Sequence, residues 1–239
     1  MTTLPMLRRR AGARLGLRAL VALGLAAASL APGPAAALTP AEVFARVSAS
    51  VWRVQTFDAD GLPLGQGSGV VVGLGQVVTN CHVLANAHRV VVRRESAGGP
   101  VHAAQLAMWD VHRDLCQLQA PGLTAPAVDR MPSGQVAVGQ PAYAIGHPRG
   151  LELTMSAGLV SSLRRNDAQQ LVLVQTSAAI SGGSSGGGLF NERGELIGLT
   201  TIASVTGDAQ NLNFAIPADW IGDLPRRHAA ARAKAAATR

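Results

Sequence analysis

Gln175-Thr-Ser-Ala-Ala-Ile-Ser-Gly-Gly-Ser-Ser-Gly-Gly-Gly-Leu-Phe190 sets Ser185 two residues after Gly183 and directly before Gly186-Gly187. Glycine lets a backbone take positive φ or turn sharply without a Cβ clash. A run this rich in glycine between two apolar strands reads as a tight loop whose N–H groups converge on one point. Acyl-transfer chemistry needs such an array, with fixed backbone donors where negative charge develops. A Gly/Ser turn alone would also be a flexible connector. The rest of the chain decides between the two.

A serine hydroxyl becomes a nucleophile when a base takes its proton and a third group holds that base. His82 closes the apolar run Val77-Val-Thr-Asn-Cys-His82, and Asp114 opens the alternation Asp114-Leu-Cys-Gln-Leu118. Asp110 lies four residues earlier and competes for the third role. The directly following alternation favours Asp114. Ser184 lacks the Gly-Gly that follows Ser185, so Ser185 is the candidate nucleophile.

The order His82, Asp114, Ser185 is that of chymotrypsin-type enzymes, not of subtilisins or α/β-hydrolases. The chain resembles the trypsin-like serine proteases, and most closely the protease domain of the HtrA/Deg family. The resemblance rests on Gly67-Ser-Gly-Val-Val-Val72, Thr79-Asn-Cys-His82, Asp114-Leu115, Ala144-Ile-Gly-His-Pro-Arg-Gly150, the serine loop, Gly194-Glu-Leu-Ile-Gly198 and Asn213-Phe-Ala-Ile-Pro217. It implies an all-β fold of two six-stranded antiparallel β-barrels, with a short N-terminal and a C-terminal helix. It also implies an oxyanion hole from the backbone N–H groups of Gly183 and Ser185, and protein or peptide substrates. A specificity pocket would be lined by Ala179, Ile180, Thr200, Thr201, Ile202 and Asn213, all uncharged. Ala179 stands six residues before the serine, where trypsins carry an aspartate, so cleavage after small or medium apolar residues is expected. Two other functions use the same residues: a catalytically inactive peptide-binding module, and an esterase.

Three departures from the family pattern carry expectations. Ser184 replaces the usual asparagine, and glycines at 182 and 188 stand where relatives often have proline. Added glycine raises the entropy that an ordered loop must lose, so the serine loop is expected to form only on binding. The chain after the last helix leaves no room for a PDZ domain. Nothing points to assembly into cages.

Residues 1–37 read as an export signal. Arg8, Arg9, Arg10, Arg14 and Arg18 form a basic start, an apolar stretch runs from Ala19 to Ala31, and Ala35-Ala-Ala37 offers a cleavage site. The apolar stretch is too short to span a bilayer. The mature protein is therefore expected to be periplasmic or secreted, without stable membrane insertion. Removing the leader lowers the net charge from +7 to 16 basic against 14 acidic residues, or +2. Five of those basic residues lie at or beyond Arg226, so the body is acidic and the high pI belongs to the ends. With aromatics at 3%, both a basic nucleic-acid face and a base-stacking platform are unfavoured.

Cys81 precedes His82, and Cys116 lies two residues after Asp114 on the same strand face. If His82 and Asp114 meet, the two cysteines are close enough to bridge. An exported chain with two cysteines favours a disulfide. No zinc site follows from two cysteines without neighbouring ligands, and no cofactor is implied. Thr39, Pro40 and Glu42 form a capping-box start for a helix to about Ser48 that packs Val43, Phe44 and Val47. Twelve short strand candidates follow in two sets, over about 50–120 and 135–217, which alone argue for a barrel or sandwich. The proline-bearing stretch from Pro121 to Pro132 reads as the crossing between the sets. A final helix follows Pro217, and its alanine-rich, basic end from Arg226 is expected to fray.

Overall fold

The computed structural model describes residues 37–94, 98–201 and 212–237. The proposed leader, apart from Ala37, lies outside the described residues, as does Ile202.

Twelve strands close into two antiparallel barrels. The first contains β1 (Val51–Phe57), β2 (Pro63–Gly73), β3 (Gln76–Thr79), β4 (Arg89–Arg93), β5 (Val101–Asp110) and β6 (Leu115–Gln119), in the order β1-β2-β3-β6-β5-β4. The second contains β7 (Pro141–Gly146), β8 (Thr154–Arg165), β9 (Leu171–Thr176), β10 (Gly188–Phe190), β11 (Leu196–Thr201) and β12 (Asn213–Pro217), in the order β10-β11-β12-β9-β8-β7. Helix α1 (Pro40–Val47) precedes the barrels and helix α2 (Asp219–Ala237) follows them. The double barrel implied by the sequence is the fold.

Why some strands are apolar on both faces follows from period-2 geometry. Val71 and Val77 point into the core of the first barrel, while their neighbours Val70 and Val78 point into a core shared by both barrels. Ala144, Leu189 and Ile197 fill the second barrel, while Ile145, Phe190 and Leu196 join the shared core. Three apolar clusters result: one inside each barrel and one between them. Val43 and Val47 of α1 and Leu224 of α2 help complete the middle cluster.

Helix α1 begins with the capping box read from sequence. Thr39 Oγ1 accepts from Glu42 N–H at 3.3 Å, and Thr39 N–H donates to Glu42 Oε2 at 2.8 Å. The crossing segment touches both barrels: Val128 N–H donates to Val71 O at 3.0 Å and Met131 N–H to Leu196 O at 3.0 Å. The C-terminal end departs from expectation. Instead of fraying at Arg226, α2 stays helical to Ala237. Alanine is the best helix former, and the helix is clamped to the first barrel. Arg227 bonds the buried Asp110 carboxylate, Arg113 Nη1 reaches Asp223 Oδ2 at 2.8 Å, and His228 packs edge-on against Trp109.

Candidate active site

The candidate site residues lie in turns and a loop between strands, His82 and Asp114 on the first barrel and Ser185 on the second. Asn80 follows β3, and the 3₁₀ turn Cys81–Leu84 carries His82 into the open. A second 3₁₀ turn, Val111–Arg113, delivers Asp114 in the left-handed region at φ 52°. Aspartate is one of the few L-residues that visits this region readily. The turn is closed by Asp114 N–H to Val111 O at 3.1 Å.

Asp114 and His82 meet at two points. Asp114 Oδ2 lies 2.7 Å from His82 Nδ1, and Oδ1 accepts the His82 backbone N–H at 2.9 Å. The carboxylate therefore fixes both the ring and the backbone that bears it. Its own carbonyl accepts from Asn80 Nδ2 at 3.0 Å and Cys81 N–H at 3.3 Å. Thr201 Oγ1 donates to Asp114 Oδ2 at 3.4 Å. The disulfide Cys81–Cys116 joins the two segments covalently. Asp110, the competing acid, is turned away into an ion pair with Arg227 and Arg113.

Ser185 lies on the loop between β9 and β10. Its Oγ is buried and has no hydrogen-bond partner among the described residues. The loop can lie against the His82 segment because Gly186 has no side chain. Gly186 adopts φ +82°, and a Cβ there would overlap Ser68 O and Thr79 Oγ1 and come within 3.1 Å of Asn80 N. Across the junction, Gly67 lies between the Val83 side chain and the Ser185 carbonyl.

The serine loop does not match the expectation of a segment formed only on binding. Each carbonyl from Ser181 to Ser185 accepts a hydrogen bond. Ser181 O takes Ser184 N–H at 2.9 Å, Gly182 O takes Arg149 N–H at 2.6 Å, and Gly183 O takes the Ser68 hydroxyl at 2.9 Å. Ser184 O takes Thr200 Oγ1 at 2.6 Å and Gly187 N–H at 2.9 Å, and Ser185 O takes Ser68 N–H at 2.8 Å. Bonds from outside the loop supply the order that proline would have supplied from within. The Gly183 and Ser185 N–H groups are left without an acceptor among the described residues.

Of the residues read as a specificity pocket, Ala179 and Thr200 line one cavity and Ile180 is hydrogen-bonded to Asn213. Asn213 Oδ1 accepts Ile180 N–H at 3.1 Å, tying β12 to the loop after β9. Ala179 N–H donates to Ser156 Oγ at 2.7 Å. The hydroxyl of Thr200 donates to Ser184 O in the serine loop and that of Thr201 to Asp114 Oδ2. A cavity of about 140 Å³ behind the loop includes Ala179, Ser181, Ser184 and Thr200 in its lining, and no charged side chain. Ser68, in the stretch Gly67-Ser68-Gly69, also touches the serine loop, donating to Gly183 O and Ser185 O. Its role depends on a partner 115 residues away, which local sequence does not reveal.

Comparison with known proteins places this geometry. The family model described as a trypsin-like peptidase domain matches residues 67–199. The chain belongs to the trypsin-like peptidases. It is 39% identical over 167 residues to the periplasmic serine endoprotease DegP of Escherichia coli, covering 66% of this chain and 34% of that protein. With the serine endoprotease DegS of Haemophilus influenzae it shares 34% identity over 169 residues, 67% of this chain and 49% of the relative. Among solved structures, the HtrA-type protease AlgW with a tripeptide superposes with a TM-score of 0.67 at 32% identity, covering 75% of this chain and 60% of that one. The HtrA/Deg resemblance therefore stands. The chain spans less than half the length of these two curated relatives.

Proposed function

We infer that this trypsin-like peptidase is an exported serine endopeptidase acting through His82, Asp114 and Ser185. The observation that carries the reading is the two-point Asp114–His82 contact beside a serine loop whose carbonyls are all turned to other donors. A histidine whose Nδ1–H is held by a carboxylate keeps its lone pair on Nε2, which is the atom a general base uses.

In the proposed reaction the Ser185 Oγ–carbon bond forms at the scissile carbonyl while the hydroxyl proton passes to His82 Nε2. The carbonyl electrons move onto oxygen, which is received by the Gly183 and Ser185 N–H groups. The intermediate collapses as the C–N bond breaks, and His82 returns the proton to the leaving amine. Water then repeats the sequence on the acyl-enzyme and regenerates the Ser185 hydroxyl. Asp114 remains ionised and steadies the imidazolium throughout. A missing hydrogen bond on Ser185 Oγ is compatible with this role, because catalytic bonds often tighten only in the substrate complex.

Proteins or peptides are the proposed substrates, with small or medium apolar residues before the scissile bond. The uncharged lining of the cavity behind the loop and the absence of a trypsin-like aspartate at Ala179 support that preference. Export to the periplasm or beyond is supported by the basic-apolar-alanine leader and by the periplasmic relative. No helix among the described residues is long and apolar enough to cross a membrane.

The test is cleavage of casein and a peptide library by the wild type and Ser185→Ala, beside labelling by a fluorophosphonate probe. Cleavage and labelling that both vanish in the variant are expected. Labelling without peptide cleavage would instead favour an esterase. A folded wild type that does neither would favour a binding module.

A further inference from the structure

We propose that two buried hydroxyls, Ser68 from the first barrel and Thr200 from the second, are positioning residues that aim the oxyanion hole. The inference rests on the serine-peptidase reading above and assigns to these side chains a role in its transition state.

A trans peptide is planar, so its N–H and C=O point in opposite directions. Whatever holds the carbonyl of a peptide plane therefore aims the N–H of that same plane. In the plane joining Ser184 to Ser185, the carbonyl accepts Thr200 Oγ1 at 2.6 Å and Gly187 N–H at 2.9 Å. The Ser185 N–H is thereby directed the other way. Thr200 is 1% exposed, so no water replaces its hydroxyl.

Ser68 holds the preceding plane. Its Oγ accepts His147 N–H at 2.8 Å, and an N–H can only donate. The single hydroxyl proton is therefore free to go to Gly183 O, 2.9 Å away. That bond fixes the peptide between Gly183 and Ser184, whose own N–H goes to Ser181 O at 2.9 Å. The Gly183 N–H lies in the plane before, whose carbonyl takes Arg149 N–H at 2.6 Å. The plane Ser68 holds is thus the link between the two donor planes and sets how the Gly183 and Ser185 N–H groups are turned relative to one another. Ser68 cannot turn away to satisfy another group. Its own N–H is spent on Ser185 O at 2.8 Å and its carbonyl accepts Thr79 Oγ1 at 2.7 Å. The residue is fully buried.

Each hydroxyl thus does for the backbone what a proline does elsewhere, by fixing the carbonyl instead of the φ angle. Because Ser68 belongs to β2 and Gly183 to the second barrel's loop, the oxyanion hole is completed across the barrel junction. A correctly docked first barrel is then a condition of turnover, not only a source of His82 and Asp114.

The experiment compares Thr200→Val, Thr200→Ser and Ser68→Ala with the wild type. Turnover of a peptide substrate and binding of a peptide aldehyde are measured, since aldehyde addition by Ser185 creates the same oxyanion. Losing an oxyanion donor outright costs about 10²- to 10³-fold. Thr200→Val, which keeps shape and the Gly187 bond, is expected to lower kcat about 10-fold and Ser68→Ala about 10- to 100-fold, with KM changed less than about 3-fold. Aldehyde affinity falls in parallel, and Thr200→Ser restores most of the loss. If Ser68→Ala does not fold, Thr200→Val against Thr200→Ser decides. Wild-type kcat in Thr200→Val, or a Thr200→Ser variant as impaired as Thr200→Val, overturns the proposal. An inert wild type would instead overturn the peptidase reading on which it rests.

Discussion

At the residue scale, two aspartates four positions apart have opposite surroundings, and the local chain geometry sets them. Asp114 sits at a left-handed turn, half open to solvent beside His82, while Asp110 is buried under α2. Asp114→Asn is the informative substitution, because asparagine also tolerates the left-handed region and can still accept the His82 backbone N–H. Its amide would face Nδ1 with a donor, so the ring takes the wrong tautomer. A kcat loss of about 10⁴-fold with an unchanged melting curve is expected, as in other triads. A loss under about tenfold would remove Asp114 from the mechanism. Asp110 governs stability instead. Burial pushes its carboxyl up, but the Arg227 hydrogen bond and charge, with help from Arg113, outweigh this and hold it below the usual carboxylate range. A folded value lower than the unfolded one contributes stability above the unfolded value, near pH 4, which is lost as pH falls through the folded value. Asp110→Asn should therefore flatten the acid limb of urea stability below about pH 4, where the wild type loses stability. An identical acid limb in both proteins would refute this. The contact of Asp114 with His82 was legible because its alternation follows directly. The Asp110 pairing was not, since its partner lies 117 residues later.

At the scale of elements, the chain relies on staples where hydrogen-bonded strands end. The Cys81–Cys116 disulfide closes a separation of 35 residues and joins the 3₁₀ turn bearing His82 to β6. In the chain-entropy picture such a closure stabilises by on the order of 3–4 kcal/mol. For a domain of this size each kcal/mol shifts the midpoint about 2–4 °C. The double variant Cys81→Ala/Cys116→Ala should thus melt roughly 10 °C lower by calorimetry. At 25 °C it should keep most of its turnover, because Asn80 and the Cys81 N–H still hold the Asp114 carbonyl. Unchanged melting would mean that the bridge restrains nothing in the unfolded chain. The bridge could be anticipated from the spacing of Cys81 and Cys116 about His82 and Asp114. The length of α2 could not. Its basic, alanine-rich end reads as a frayed tail until Arg227 and His228 find their partners on β5. Nor could the order of the serine loop, whose glycines predict freedom while Ser68, Arg149 and Thr200 supply restraint from three distant segments.

Across the whole molecule, the described apolar cluster that joins the two barrels draws side chains from both. His82 and Asp114 stand on one barrel and Ser185 on the other, and the side chains behind them interlock. Val70, Val78 and Leu115 from the first barrel pack with Ile145, Phe190, Leu196 and Leu199 from the second, closed by α1 and α2. Twelve short strand candidates in two sets were legible in the sequence, but the number of cores they feed depends on how two barrels meet. That is a long-range property that alternation alone does not encode. The shared cluster makes independent unfolding costly: separating the barrels would expose all of these fully or nearly buried side chains together. Calorimetric unfolding of residues 38–239 is therefore expected as a single transition in which both barrels melt. Leu199→Ala, in the shared core, should cost about 2–5 kcal/mol and lower that one midpoint without splitting it. Val54→Ala, inside the first barrel alone, should behave likewise with a smaller shift, because a valine loses fewer methyl groups. Two resolved transitions, with only one of them moved by Val54→Ala, would instead mean that the barrels fold separately. The hydroxyl of Ser68 would then hold the oxyanion loop only while a weak interface stayed closed, and turnover would fail at the first transition.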